Sequence, residues 1–139
     1  MKLFFIIFFA IVSAVLFIVA SPFILAGGGF MLGSLFLPDE ESMRIARAEN
    51  DISSFSSGLE LYKLDNLNYP TTEQGLQALV TKPSKGPEPI NWSQNGYIKR
   101  LQNDPWGKPY NFVNTDGEFV ILSNGSDGVA GTSDDIRSR

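Results

Sequence analysis

From Leu3 to Leu37 the chain carries no charged residue, and this run limits what the rest can be. It is far longer than the ~20 apolar residues that cross a bilayer as a helix. Ser21-Pro22 and Gly27-Gly28-Gly29 interrupt it. One span from about Leu3 to Ala26 is the reading these breaks favour, with Phe30 to Leu37 at the interface or against the following domain. A second span would have only Phe30 to Leu37 after the glycines, too short to cross. A cleaved signal peptide is the competing reading. Lys2 supplies a minimal basic start, but Ile24-Leu25-Ala26 does not give the small-x-small pattern that cleavage before Gly27 needs. The expected organisation is therefore a hydrophobic membrane anchor over residues 1–37 and a soluble domain over 38–139.

After Pro38 the composition becomes ordinary and polar. Only Lys2 of the 11 basic residues precedes the run, so the soluble part sets 10 of them against 15 acids and carries about −5. A mildly acidic domain of this size is a poor nucleic-acid binder, which needs clustered Lys and Arg. It is large enough to bury one small core. The chain has no cysteine and no histidine, which removes disulfides, thiol nucleophiles, imidazole bases and ordinary zinc sites.

Asp39 suits an N-cap, with Glu40 and Glu41 in a first turn that favours negative charge. Ile45, Ala48, Ile52, Phe55, Leu59 and Tyr62 then alternate steps of three and four, the seam of a long helix. That seam is expected to pack on the domain's own sheet; a coiled coil with partner helices is the alternative. Leu64 is expected to close the apolar face, and Asp65-Asn66 to stop the helix. Thr71 and Gln74 have capping-box spacing ahead of a second short helix, in which Leu76, Leu79 and Val80 share one side and which Pro83 stops. Residues 82–102 read as a loop pinned by Trp92 and Tyr97. Asp104-Pro105-Trp106-Gly107 has the proline and glycine of a type I turn. Tyr110–Val113 and Glu118–Leu122 read as two strands joined by a four-residue loop, Asn114–Gly117.

The stretch from Ser123 to Asp135 places Asp127, Asp134 and Asp135 among Gly125, Gly128 and Gly131. Hard oxygen donors on a pliable loop suit Ca²⁺ better than Mg²⁺, which demands a strict octahedron. The pattern is not an EF-hand. Asp-Gly pairs that simply form turns are the plainer reading, and the residues alone leave both open.

Taken together, Y-K-L-D-N from Tyr62, Y-P-T-T-E-Q-G-L-Q-A-L from Tyr69, Lys82-Pro83, Trp92, Tyr97, D-P-W-G from Asp104, Pro109-Tyr110 and the glycine–aspartate tail from Ser123 to Ile136 resemble the G-type major pseudopilins of bacterial type II secretion. The resemblance covers about residues 45–136. It implies an α+β, pilin-like fold: an N-terminal membrane segment and long helix packed on a small antiparallel sheet, with a C-terminal calcium-binding loop. It implies a Ca²⁺ held by the side chains of Asp127, Asp134 and Asp135 and the main-chain carbonyls of Asn124 and Thr132. It also implies a non-enzymatic component of the secretion apparatus. The implied partners are other pseudopilins or secretion-machinery proteins, the chain itself among them, together with membrane lipid. No nucleic acid or small-molecule substrate is expected. The implied location is the bacterial inner membrane, single-pass, with the soluble domain in the periplasm. Arg44 and Arg47 nearly balance Lys2 in the positive-inside count, so that orientation rests on the short N-terminal tail and the resemblance.

The N-terminal third departs from the family pattern. Gly29-Phe30 mimics the family's glycine–phenylalanine cleavage junction, but Ser34 stands where the family has a glutamate, and the leader before it is apolar. A subunit cut there would keep only a short apolar segment. A tethered, calcium-stabilised binding domain that does not assemble into a filament is therefore the second reading. A metal-dependent hydrolase built on the aspartates is a third, and it lacks any nucleophile paired with a base.

Overall fold

A computed structural model describes residues 38–138. The expected anchor over residues 1–37, with its Gly29-Phe30 junction and Ser34, lies outside the described residues. Among the described residues no helix is long and apolar enough to cross a membrane. The chain divides into two units, Met1–Asp39 and Glu40–Arg139, and the second holds the long helix and the sheet.

Helix α1 runs from Glu40 to Asn66, opening with the two acids and starting directly after Asp39. Its buried face is Ala48, Ile52, Phe55, Leu59 and Tyr62, the 3-4 seam turned inward onto the domain's own core. Two ends of the expected seam differ. Ile45 stays exposed, and Leu64 is 75% exposed. The last inward position is polar instead. Asn66 is buried, and its Nδ2 donates to the Tyr62 carbonyl and the Tyr97 hydroxyl, both at 2.9 Å. Its Oδ1 accepts the Asn91 N–H at 2.9 Å, so the loop supplies what a leucine could not. The chain leaves the helix through Leu67 at φ 67°, a left-handed exit unusual for leucine.

The capping box forms reciprocally. Gln74 N–H donates to Thr71 Oγ1 at 3.2 Å, and Thr71 N–H donates to Gln74 Oε1 at 2.9 Å. The box opens onto one 3-10 turn, Leu76–Leu79, rather than an α-helix. That turn still buries Leu76, Ala78 and Leu79 against α1. Trp92 and Tyr97 pin the following loop as expected. The Trp92 indole donates to the Ala78 carbonyl at 2.9 Å, and the Tyr97 ring packs 5.2 Å from that of Tyr62. Gly58 permits a close approach here, since a Cβ on it would stand 2.7 Å from Ile98 Cγ2.

The sheet has the order β1-β2-β3, with β1 Asn111–Thr115, β2 Glu118–Ser123 and β3 Ile136–Arg137, all antiparallel. Pairing of Thr115 with Glu118 leaves only Asp116-Gly117 between the strands, not the expected four residues. Both have positive φ, at 53° and 86°, which gives the primed two-residue turn that matches strand twist. Phe112 pairs with Ile121 on the face toward α1, and Val113 pairs with Val120 on the outer face. The third strand was not expected. It brings the chain's end back onto β2, pairing Ser123 with Ile136. The loop between these two residues is therefore closed at its base by the sheet.

Candidate functional site

That closed loop is the acidic stretch between Ser123 and Ile136. Its start is fixed from below: Ser123 is fully buried, and its hydroxyl donates to Asp104 Oδ2 at 2.7 Å. Gly125 follows at φ 60°, and the far arm of the loop lies directly on it. A Cβ at Gly125 would overlap the Asp134 carbonyl and sit 2.6 Å from Asp134 Oδ2, so only glycine fits.

The five expected ligand residues fall into three situations. Asp127 and Asp134 converge. The Oδ1 atoms of both face the Thr132 hydroxyl, at 3.4 Å and 2.6 Å. Asp134 Oδ2 also accepts the Ser126 hydroxyl at 2.9 Å and the Asp127 N–H at 3.0 Å. These donors, with the Thr132 hydroxyl foremost, hold the Asp134 carboxyl well below the usual carboxylate range. Asp127 Oδ1 accepts the Val129 N–H at 2.7 Å.

Asp135 is turned inward, its side chain 3% exposed. Its Oδ2 accepts the Gly131 N–H at 2.8 Å and lies 3.8 Å from Arg137 Nη2, while Oδ1 is buried with no hydrogen-bond partner. A buried carboxylate oxygen without a hydrogen bond is costly to maintain. Asn124 serves the loop's first turn, its carbonyl accepting the Gly128 N–H at 3.2 Å and its Oδ1 the Asn111 amide at 3.1 Å. The Thr132 side chain lies between the two converging carboxylates.

Among the described residues, no three His, Cys, Asp or Glu side chains are gathered so as to hold a metal ion by themselves. A cation here would take Asp127 and Asp134 and rely on hydroxyl and main-chain oxygens for the rest. An all-oxygen donor set of mixed charge on a glycine-rich loop fits Ca²⁺. Sequence reasoning missed the supporting residues Asp104, Ser123 and Ser126. The D-P-W-G motif was the available signal for the first, because an aspartate opening a type I turn accepts the turn's own N–H groups. Trp106 N–H and Lys108 N–H donate to Asp104 Oδ1 at 3.1 Å and 2.7 Å.

The family model for type II secretion system (T2SS), protein G matches residues 36–139. The type II secretion system core protein G of Pectobacterium carotovorum subsp. carotovorum is 49% identical over 112 residues, which cover 76% of this chain and 72% of that protein. The core protein G of Aeromonas hydrophila is 48% identical over 112 residues, covering 76% and 78%. The crystal structure of the major pseudopilin from the type 2 secretion system of enterohaemorrhagic Escherichia coli superposes with a TM-score of 0.66. It is 44% identical and covers 73% of this chain and 91% of that one. With a long helix on a small antiparallel sheet and this sequence kinship, the chain belongs to the type II secretion system protein G family, whose members are structural pseudopilins rather than enzymes.

Proposed function

We propose that this chain is a pseudopilin subunit of a type II secretion apparatus, anchored in the inner membrane by its apolar N-terminal run, with residues 38–139 in the periplasm and the C-terminal loop stiffened by Ca²⁺. The single observation that carries the assignment is the kinship with protein G, which spans the whole of the domain from residue 36 onward. Its partners are other pseudopilins, copies of itself and machinery proteins, with membrane lipid around the anchor.

The role proposed for calcium is structural. Asp127 and Asp134 bring two negative charges onto one hydroxyl, a placement that repels until a cation binds. The cation would supply that neutralisation, and Asp127, Asp134 and Asp135 with the loop's neutral oxygens would hold it. The chain's own residues do the remainder: Ser126, Thr132 and the N–H groups of Asp127 and Val129 orient the carboxylates, and β3 closes the loop's base.

Ser34 and the apolar leader favour a second reading, a tethered domain that does not polymerise. Cysteine cross-linking in cells separates the two. A ladder of multimers, or co-purification with secretion-machinery proteins, supports the subunit. A chain that stays monomeric and alone while secretion proceeds contradicts it.

A further inference from the structure

Asp104 lies outside the acidic loop, yet it is buried, at 4% exposure. Its two oxygens do different work. Oδ1 accepts the N–H groups of Trp106 and Lys108 and so shapes the turn that carries it. Oδ2 accepts the hydroxyl of Ser123, which is itself 0% exposed. With that hydrogen committed to Asp104, the Ser123 oxygen is free to accept, and it takes the N–H of Gly125 at 3.3 Å. Gly125 is the bare surface on which Asp134 rests. A continuous path thus runs from Asp104 through Ser123 and Gly125 to the carboxylate that also meets Thr132, Ser126 and the Asp127 N–H. Gly125 follows two residues after Ser123, which pairs with Ile136 where β2 and β3 close the loop's base.

The geometry points to Asp104 as a positioning residue of the C-terminal loop. By orienting the Ser123 hydroxyl it fixes where Gly125 lies, and so where Asp134 presents its oxygens, and it sets cation affinity without touching the cation. Three donors already occupy Asp104, which argues against its serving as a ligand. This inference rests on the reading that the loop takes Ca²⁺. Residues that orient metal ligands from behind set affinity by about 10–100-fold when changed.

The test is calorimetric titration of the full chain in detergent with Ca²⁺, alongside melting of the calcium-free protein. Asp104→Asn keeps an acceptor for the turn but presents an amide donor to Ser123, reversing the direction of that hydrogen bond. It is expected to weaken Ca²⁺ binding by about 10–100-fold. Ser123→Ala removes the same link from the other side and carries the test if Asp104→Asn does not fold. The double variant is expected to bind no more weakly than the weaker single variant, because both interrupt one path. Calcium-free melting that falls while the dissociation constant stays at the wild-type value in both variants shows a merely structural role and overturns the inference. Wild-type protein that takes up no Ca²⁺ overturns the loop reading itself, and this inference with it.

Discussion

Tyr110, on the strand side of the core, donates its hydroxyl to Asp51 of α1 across 3.0 Å. The same carboxylate accepts the Gln102 amide and lies 4.0 Å from Arg47 Nε. A charged acceptor on the inner half of a helix thereby ties strand, loop and helix together. Tyr110→Phe leaves that carboxylate short of a donor, at an expected cost of about 1.5–3 kcal/mol. Urea unfolding of the two proteins measures it, and equal midpoints would show that the bond contributes nothing.

Gly58 sets a helix preference against a packing constraint. Alanine is favoured over glycine in a helix by up to ~1 kcal/mol. Here the added Cβ meets Ile98 Cγ2 at 2.7 Å and Leu79 Cδ1 at 3.3 Å. Gly58→Ala is therefore expected to destabilise, and Ile98→Ala in the same chain to restore part of the loss. Thermal melting of the single and double variants decides it; a stabilised single variant contradicts the packing account.

Leu59 and Leu64 test the orientation of α1. Leu59 is fully buried and Leu64 is exposed. Leu59→Ala is expected to cost about 2–5 kcal/mol, and Leu64→Ala to stay within about 0.5 kcal/mol. Comparable losses at both sites would mean that the helix is turned differently.

All four tyrosines titrate high. Burial is the first cause at Tyr62, Tyr97, Tyr69 and Tyr110 alike; Tyr69, also bonded to Glu60, is pushed up to about 12, and Tyr110, bonded to Asp51, rises as well. A phenol whose folded pKa exceeds the unfolded value near 10 contributes stability that is complete below pH 10. That contribution is lost as pH rises through the folded values. Phenolate absorbance is expected to stay low just above pH 10 and to rise together with alkaline unfolding. Ionisation well before the loss of helical circular dichroism would contradict this.

The long helix was legible because its 3-4 spacing directly reports which face is buried, and the Thr71–Gln74 box because its partners lie within one turn. The hairpin was legible in its strands but not in its turn. Asn114 instead pairs with Phe119 in the ladder, and its N–H and carbonyl both meet Thr72 Oγ1, at 2.9 Å and 3.1 Å, from a distant segment. Leu64 lies only two residues past Tyr62, off the 3-4 spacing, whose next position is Asn66; a polar residue there hides the continuation, and the loop's Asn91 and Tyr97 satisfy it as the last inward residue. Strand β3 is two residues long, shows no periodicity and exists only through its pairing with β2. For the loop, the carboxylates were visible in the sequence, but the support from Asp104 and the convergence of only Asp127 and Asp134 on Thr132 depend on contacts across the fold.

Amide hydrogen exchange across residues 123–138, followed with Ca²⁺ and again with a chelator, most directly tests whether a cation holds this loop. The expected result is strong protection at Asp127, Val129 and Gly131 with calcium, lost on chelation and absent in Asp127→Ala, while the α1 amides change little. Identical protection with and without calcium would contradict the account.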